Sequence, residues 1–465
     1  MSNRDIVGRS LAAVWHPCTQ MKQHERFPLV PVARASGAWL EDFEGRRLVD
    51  GVSSWWVNLL GHSHPQIVAA IADQASRLDH AMLAGFTHEP VVELSERLAR
   101  LAPGRLGHAF YASDGASATE IALKMAFHYW ANHGKPTKSR FVYLEGGYHG
   151  ETAGALAVTD VPVFRDAYAP LLRRNIVTPF PAAHAGNREF QCEDCAAEAA
   201  GALAKLLERE ADGIAALIVE PMVQGASGMR MYHPLYLRRA RELCDRHEVL
   251  LIADEIMTGF GRTGTMFAWE HAFPSPQPSP KGEGAHISPL PPGEGSGVRG
   301  PDFLCLSKGI TGGTLPLSCV LATDEVYEAF YDDSVARGFL HSHSYTGNPI
   351  ACRAACTVLD ILERDRVLEA NREKAKRFDA LAAPLSAHAA VRDWRRLGMI
   401  WAFEVTSSAA NFAPRAFEIA LRHGALLRPI GNTVYFMPPY AIDEEAFSVL
   451  VRAATAVADE LGSPA

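Results

Sequence analysis

Hydrophobic residues in the middle of the chain form short unbroken runs, and longer amphipathic stretches separate them. The runs are IAALIVEP at 214–221, VLLIADEI at 249–256 and FLCLS at 303–307, with the amphipathic YLRRARELCDRH between the first two. Unbroken apolar runs are typical of parallel strands that are buried on both faces. Such runs, alternating with amphipathic helices, predict an α/β fold with a mainly parallel sheet and crossover helices.

The pattern changes towards both ends of the chain. A long helical stretch, LDILERDRVLEANREKAKRFDALAAPL, precedes the strand-like GMIWAFEV, and the strand-like GAWLEDFEGRRLVDG lies near the N-terminus. This mixture predicts a smaller α+β domain to which both ends contribute. We expect residues 1–63 to form its N-terminal part, 64–335 to form the large domain, and 336–465 to form its C-terminal part.

A proline- and glycine-rich segment interrupts the large domain at 274–300. It reads PSPQPSPKGEGAHISPLPPGEGSGVRG, has few apolar residues, and contains the related pieces SPKGEG and LPPGEG. A segment of this composition does not build a packed core. It therefore predicts a low-complexity insertion whose deletion leaves folding and activity largely intact.

The overall composition is that of a globular protein with an ample core. Of the 465 residues, 48% are hydrophobic and 21% are charged, and the net charge is -8 at pH 7. No stripe of Lys and Arg favours a nucleic-acid backbone, and no apolar run reaches the roughly 18 residues that a membrane span needs. The N-terminus lacks the apolar core and cleavage site of a signal peptide. We therefore expect no nucleic-acid partner, no membrane partner and a cytoplasmic location.

The cysteines are scattered along the chain, and we expect them to be reduced thiols. Cys192 and Cys195 have the CxxC spacing of a metal-ligand pair, but neither a second CxxC nor a histidine pair at finger spacing accompanies them. We therefore predict no metal site, and a surface loop at this position that leads into a helix.

Polar residues follow the three apolar runs. Glu220, Asp254 and Lys308 lie at or just beyond their ends, and ligands of α/β sheets gather at the carboxyl ends of the strands. Taken alone, Glu220 is more typical of a capped or solvated loop residue. Together, the three residues predict a site at this edge of the sheet.

Lys308 stands before the glycine-rich ITGGT, and the nearest acidic residue in the sequence is Asp302. A Walker phosphate-binding loop has its glycines before the lysine, so that motif is excluded. An ion pair is one remaining explanation. The other is covalent chemistry, because a lysine among small and apolar residues can lose its proton and form a Schiff base.

Three further signals suit one cofactor. Asp254 ends a buried strand, where a carboxylate can hold the protonated pyridine nitrogen of pyridoxal phosphate. Small or capping residues precede a helical stretch at Ser113, Asp114, Gly115, Ala116 and Ser117, so the backbone N–H groups at this helix start suit a phosphate. Tyr148, within EGGYHGET, can stack on a planar ring. Each signal alone is common in turns, helix caps and surfaces. Only their combination indicates a pyridoxal phosphate site.

DEIMTGFGRTG followed by SKGITGG resembles the class III pyridoxal-phosphate aminotransferases, and the resemblance spans nearly the whole chain apart from 274–300. It implies fold type I, the aspartate aminotransferase-like fold, and pyridoxal 5'-phosphate as cofactor. The implied roles are covalent attachment at Lys308, the ring-nitrogen partner Asp254, phosphate binding at Gly115 and Ala116, and a covering ring at Tyr148.

Within the class, several segments resemble the branch that serves biotin biosynthesis. They are WHPCTQM, DGVSSWWVNLLGHSHP, EPMVQGASGMRMYHP, CLSKGITGGTLPLS and RPIGNTVYFMPPY. This resemblance implies S-adenosylmethionine as amino donor, 8-amino-7-oxononanoate as acceptor, 7,8-diaminononanoate as product, and a homodimer with shared active sites. The implied substrate residues are Trp55, Tyr148, Ser342, Arg428 and Cys18, and the implied phosphate contacts from the neighbouring subunit are His343 and Ser344.

Cys18 departs from the class, in which tyrosine is common at this position. A thiol is smaller than a phenol and a weaker hydrogen-bond donor, so lysine stays beside S-adenosylmethionine as a candidate donor. The main alternative function is another class III transaminase, acting on an ω-amino acid or diamine with pyruvate or 2-oxoglutarate. A mutase or epimerase would use the same cofactor residues. A non-catalytic role would leave the positions of Lys308 and Asp254 unexplained.

Overall fold

The computed structural model describes residues 1–27, 29–102, 104–182, 192–273 and 300–463. These residues form two compact units. The first unit comprises 1–79, 308–316 and 349–465, and the second comprises 80–307 and 317–348. The predicted insertion at 274–300 lies outside the described residues except for Gly300.

The strands and helices of the described residues follow in chain order. The strands are β1 Arg34–Ser36, β2 Trp39–Glu41, β3 Arg47–Asp50, β4 His108–Ala112, β5 Arg140–Leu144, β6 Ile176–Thr178, β7 Ile214–Val219, β8 Val223–Gln224, β9 Arg230–Met231, β10 Leu250–Asp254, β11 Phe303–Leu306, β12 Ser318–Ala322, β13 Val391–Leu397, β14 Ile400–Val405, β15 Ala425–Leu426 and β16 Thr433–Phe436. The helices are α1 Asn3–Ala13, the short turn α2 Ser53–Trp56, α3 Pro65–Arg77, α4 Glu89–Leu101, α5 Gly115–Asn132, α6 Ala153–Leu156, α7 Pro162–Arg165, α8 Glu193–Glu210, α9 Leu235–Arg246, α10 Asp324–Glu328, α11 Pro349–Arg364, α12 Val367–Ser386, α13 Phe412–Arg422 and α14 Glu444–Leu461.

The second unit is built around a seven-stranded sheet in the order β4-β12-β11-β10-β7-β5-β6. Strand β12 is antiparallel to both of its neighbours, and the other pairs are parallel. Every residue of β7, β10 and β11 is buried, as the unbroken apolar runs predicted. The mainly parallel α/β sheet is therefore confirmed, and helix α9 occupies the predicted amphipathic stretch between β7 and β10.

Helix α5 packs an apolar face on this sheet. Its buried residues recur every three or four positions, which is the spacing of one helix face. Near its C-terminus, the indole Nε1 of Trp130 donates a hydrogen bond to the carbonyl of Ala215 on β7 at 2.8 Å. Strand β4, which precedes α5, runs in the same direction as β11 because β12 is antiparallel to both. The N-terminus of α5 therefore starts at the edge where β10 and β11 end.

The first unit contains two smaller sheets, β1-β2-β3-β15 and β13-β14-β16. Strand β3 pairs in parallel with β15, so segments from near the two ends of the chain share one sheet. Aromatic rings fill the space between β14 and the helices α12 and α14. The ring of Phe447 lies 4.1 Å from that of Phe378 and 5.1 Å from that of Trp401.

One prediction about the cysteines is wrong. The structure joins Cys192 and Cys195 in a disulfide, and both residues are buried instead of lying on a surface loop. Helix α8 already begins at Glu193, so Cys192 is its N-cap residue. Residues three positions apart lie on the same face of a helical turn, which brings these two side chains together.

Within the described ranges, no group of three or more His, Cys, Asp and Glu side chains is arranged to hold a metal ion. No helix in those ranges combines the length and the apolar character needed to cross a membrane.

Candidate active site

The strand ends of the second unit carry two buried carboxylates. Glu220 follows β7, and Asp254 is the last residue of β10, the parallel neighbour of β7. Their exposed fractions are 6% and 4%. Lys308 follows β11 by two residues and belongs to the first unit.

Asp254 forms a buried pair with His149, a residue that was given no role from the sequence. The imidazole Nδ1 lies 2.7 Å from Asp254 Oδ2, and Asp254 Oδ1 accepts the backbone N–H of Ile256 at 3.1 Å. The other imidazole nitrogen, Nε2, is buried and has no hydrogen-bond partner among the described residues. The pair thus combines a carboxylate of fixed orientation with a buried polar atom that lacks a protein partner. An orphaned atom of this kind is expected where a ligand or water binds.

Glu220 is buried but well supplied with hydrogen-bond donors. Its Oε2 accepts the backbone N–H of Tyr148, and its Oε1 accepts that of Gly225, both at 3.0 Å. Burial raises the pKa of Glu220 to about 7, while His149 opposes the rise and Asp254 adds to it. Glu220 therefore changes charge near neutral pH, and it is not the solvated loop residue that its sequence context favoured.

The N-terminus of α5 packs against the neighbours of the Asp254–His149 pair. A Cβ at Gly115 would meet the side chain of Ile256, two residues after Asp254, at 2.9 Å. A Cβ at Gly150, directly after His149, would meet Ala116 at 2.6 Å. The helix end and the buried pair therefore belong to one site.

Polar side chains surround this helix end. Asp114 accepts the N–H of Ser117 at 2.9 Å, and the first N–H groups of a helix have no partner within the helix. Ser113 Oγ lies 2.6 Å from His343 Nε2. His343 was assigned from the sequence to the site of a neighbouring subunit, and within this chain it reaches the residue two positions before α5.

Tyr148 and the segment around His343 complete the candidate residues of the second unit. Tyr148 is half-buried, its ring centroid lies 5.3 Å from that of Phe164, and its hydroxyl donates to Glu151 at 2.9 Å. Ser342 and Ser344 are exposed.

These residues fit pyridoxal phosphate. The N-terminus of α5 offers backbone N–H groups to a phosphate. The buried, fixed carboxylate of Asp254 suits a protonated ring nitrogen. The half-buried Tyr148 offers a ring face to a planar cofactor.

Lys308, in the first unit, has a strained backbone. Its φ is +45°, a left-handed conformation that is unfavourable for a residue with a side chain. The short 3-10 helix Lys308–Thr311 leads to Gly312 and Gly313, both with positive φ. A Cβ at Gly313 would collide with the carbonyl of Val57, so glycine is required there. Such strain concentrates at functional sites.

The turn α2, Ser53–Trp56, has four successive left-handed residues. Their φ angles lie between +45° and +71°, although none of them is glycine. A left-handed backbone costs such a residue roughly 1–2 kcal/mol, so contacts from the surrounding residues must hold the turn. One of them is a hydrogen bond of 3.0 Å from Trp56 Nε1 to the hydroxyl of Tyr435. Burial raises the pKa of Tyr435 to about 12, so the phenol stays neutral.

The turn places two indole rings against two cations. The Nζ of Lys308 lies 5.6 Å from the ring centroid of Trp56, and the Cζ of Arg428 lies 4.5 Å from that of Trp55. Both distances are within the range of cation–π interactions. Trp55 is 38% exposed and Arg428 is exposed, so a ligand can reach this second pair. Cys18 is also exposed and lies between α1 and the 3-10 helix Met21–Glu25.

The sequence is similar to known proteins over nearly its whole length. It matches the family model described as Aminotransferase class-III over residues 20–278 and 296–456, and the unmatched residues between these ranges lie within the predicted insertion. It is 39% identical to the adenosylmethionine-8-amino-7-oxononanoate aminotransferase of Helicobacter pylori, over 98% of both chains. It is 38% identical to the protein of that name from Geobacter sulfurreducens, over 94% of both chains.

Solved structures share the fold. The adenosylmethionine-8-amino-7-oxononanoate aminotransferase from Methanocaldococcus jannaschii superposes with a TM-score of 0.86 and 31% identity, covering 99% of this chain and 100% of that chain. An (S)-enantioselective omega-transaminase from Thermomicrobium roseum gives a TM-score of 0.88 at 29% identity, over 99% of both chains. An omega transaminase from Pseudomonas jessenii, solved in complex with PMP, gives 0.86 at 25% identity, over 98% of both.

Proposed function

This chain belongs to the class-III aminotransferase family, with its type I fold, and we propose that it transfers an amino group from S-adenosyl-L-methionine to 8-amino-7-oxononanoate. The product would be 7,8-diaminononanoate, and the pathway biotin biosynthesis. The observation that carries the proposal is the near-full-length similarity to relatives named for this reaction, at 31–39% identity. The Asp254–His149 pair beside the N-terminus of α5 supports it, because aminotransfer needs a held electron-withdrawing cofactor.

We propose pyridoxal 5'-phosphate as that cofactor. When bound, it withdraws electrons from the carbon that must lose its proton. Lys308 would hold it covalently through Nζ, and the backbone N–H groups of Gly115 and Ala116 would bind its phosphate. Asp254, fixed in orientation by His149 at 2.7 Å, would hold the ring nitrogen.

The remaining roles are proton transfer and substrate binding. Lys308 Nζ acts as the base that accepts the proton from the α-carbon of the donor and returns it to the reacting system. Tyr148 covers the site. Arg428 binds a substrate carboxylate, for which its planar guanidinium is suited, and Trp55 packs against it at 4.5 Å. Donor and acceptor use this pocket in turn, which predicts ping-pong kinetics, and Cys18 contributes to substrate recognition.

We further propose a cytoplasmic homodimer with shared active sites. In it, His343 and Ser344 reach the cofactor phosphate of the neighbouring subunit, and Ser342 lines its substrate site. The exposure of Ser342 and Ser344 supports this arrangement, because both are accessible to a second chain. Sedimentation equilibrium of the holoenzyme tests the assembly, and a monomer at micromolar concentration would contradict it. Cell fractionation tests the location.

Half-reactions test the function. The purified holoenzyme is mixed with S-adenosylmethionine alone, and the cofactor absorbance is followed until it reaches the amino form. Addition of 8-amino-7-oxononanoate should restore the first spectrum and yield 7,8-diaminononanoate by mass spectrometry. The same assay with lysine in place of S-adenosylmethionine identifies the preferred donor. If the holoenzyme reacts with lysine but not with S-adenosylmethionine, lysine replaces S-adenosylmethionine as the proposed donor.

The alternative is a transaminase for an ω-amino acid or diamine. It is favoured by the structural similarity to the Thermomicrobium roseum omega-transaminase. Pyruvate and 2-oxoglutarate serve as acceptors in the same assay. Turnover with either of them, without turnover of 8-amino-7-oxononanoate, would replace the proposed function by this one.

A further inference from the structure

Asp50 and His62 are polar residues of the first unit that form a hydrogen-bonded pair beside the left-handed turn Ser53–Trp56. Asp50 is fully buried at the end of β3. The Nε2 of His62 lies 2.9 Å from Asp50 Oδ2. The turn itself carries Trp55 and Trp56, so the pair is one layer removed from the rings that contact Arg428 and Lys308.

The carboxylate of Asp50 accepts hydrogen bonds from the start of the turn. Its Oδ1 accepts the backbone N–H groups of Val52 at 3.3 Å and of Ser54 at 3.0 Å, and its Oδ2 accepts the hydroxyl of Ser54 at 2.8 Å. Ser54 is therefore held by both its backbone and its side chain. Its φ of +45° and ψ of +54° are those of a left-handed residue, and these bonds oppose its return to a commoner conformation.

His62 is itself oriented by its neighbours. Asn58 Oδ1 accepts the N–H of Gly61 at 2.9 Å, so Asn58 Nδ2 donates to His62 Nδ1 at 3.1 Å. With Nδ1 as acceptor, the neutral imidazole carries its proton on Nε2 and donates it to Asp50. The backbone of His62 also exchanges two hydrogen bonds with Gly37, at 2.8 and 3.1 Å. The pair is thus anchored to the connection between β1 and β2.

We propose that Asp50 and His62 are positioning residues, which hold the left-handed turn so that Trp56 packs against Lys308 and Trp55 against Arg428. The inference rests on the proposed function in taking Lys308 and Arg428 as cofactor and substrate residues. If the pair positions the rings, its loss weakens substrate binding more than it lowers stability.

The test compares Asp50→Asn with His62→Leu in the holoenzyme. Asparagine turns a donor towards His62 in place of an acceptor, and leucine removes the imidazole donor. We expect kcat/KM for S-adenosylmethionine to fall about 10- to 100-fold in each folded variant, mainly through KM, because small misplacements of binding groups have effects of this size. Cofactor absorbance should be retained. The side chain of His62 is 14% exposed, so His62→Leu is expected to fold even if Asp50→Asn does not.

A second substitution at Ser54 provides the matched control. Glycine adopts positive φ without steric cost, so Ser54→Gly in the His62→Leu background should recover most of the lost kcat/KM. Ser54→Ala removes the same hydroxyl and keeps a Cβ, and it should recover nothing.

Crystal structures of the variants add a readout that needs no turnover. In His62→Leu, Ser54 is expected to leave the left-handed region and Arg428 to leave the ring of Trp55; with Ser54→Gly added, both should return. An unfolded His62→Leu variant, an unchanged turn, a change in kcat/KM of less than about twofold, or equal recovery with glycine and alanine would overturn the proposal. If the wild-type holoenzyme reacts with neither S-adenosylmethionine nor lysine, the proposed function fails, and the crystal structures alone decide this inference.

Discussion

Replacing Asp302 with asparagine should destabilise the second unit by about 3 kcal/mol. Asp302 is 1% exposed. It lies two residues after Gly300, where the described chain resumes. Its Oδ2 accepts two hydrogen bonds, from Arg241 Nη1 on α9 at 2.8 Å and from the N–H of Leu251 on β10 at 2.7 Å. Asn leaves the buried guanidinium of Arg241 without its closest buried carboxylate.

The magnitude follows from the burial of the pair. Removing one partner of a buried ion pair costs about 3–5 kcal/mol. Asp245 lies 2.7 Å from the other end of the Arg241 guanidinium and is partly exposed, so it compensates in part, and the lower limit applies. For a unit of this size, 1 kcal/mol corresponds to about 2–4 °C. The midpoint of thermal unfolding should therefore fall by about 6–12 °C, measured by calorimetry and near-ultraviolet circular dichroism.

Helix α9 also supplies the control. Arg239 and Glu242 form an ion pair of similar length, 2.9 Å, but both side chains are more than half exposed. Exposed pairs of this kind contribute at most about 1 kcal/mol, so Glu242→Gln should leave the midpoint nearly unchanged. If Asp302→Asn lowers the midpoint no more than Glu242→Gln does, burial is not the source of the stability and the reasoning is wrong.

Four further outcomes are expected. Lys308→Ala should fold, lack the absorbance of covalently bound cofactor and lose at least about 10³-fold in turnover; retained transamination would contradict its role. Arg428→Ala should raise KM about tenfold or more with cofactor absorbance unchanged, whereas Arg422→Ala, which removes an exposed pair with Glu460, should not. Burial raises the pKa of Glu255 from 4.5 to about 7, so the folded state holds this proton more tightly than the unfolded chain does. Wild type should therefore lose about 3 kcal/mol relative to Glu255→Gln between pH 4.5 and 7, in unfolding titrations at matched pH, and a constant difference would contradict this. Deletion of 274–299 should preserve unfolding midpoint and activity, and a folded but inactive deletion variant would give those residues a function.

Strands that are buried on both faces are predictable from the sequence because nearly every residue of such a strand is apolar. This is why β7, β10 and β11, and the positions of Asp254 and Lys308 at or beyond their ends, could be located from local pattern alone. The direction of a strand has no such local signal. The apolar run of β12 resembles the others, and its antiparallel pairing is set by the chain between it and β11.

Partners distant in sequence were also missed. His149 and Asp254 are 105 positions apart, and their pairing depends on how β5 and β10 are ordered in the sheet, which no local pattern contains. Asp50 and His62 are only 12 positions apart, yet the backbone between them includes four successive left-handed residues, none of which is glycine. The sequence therefore gives no local signal for this turn. The Cys192–Cys195 disulfide was missed because α8 begins earlier than the helical pattern indicated. The roles of the candidate residues and the domain boundaries from the sequence stay predictions.

The division of the chain into units has a consequence for its biosynthesis. The second unit is complete once residue 348 has been made, whereas the first unit also needs residues 349–465. At roughly 5–20 residues per second, the ribosome spends on the order of ten seconds on that remainder. During this interval the sheet that ends in Asp254 can already form, but helix α11, which packs against the 3-10 helix that begins at Lys308, has not yet been made. Under the role proposed for Lys308, covalent attachment of the cofactor would therefore follow translation of residues 349–465.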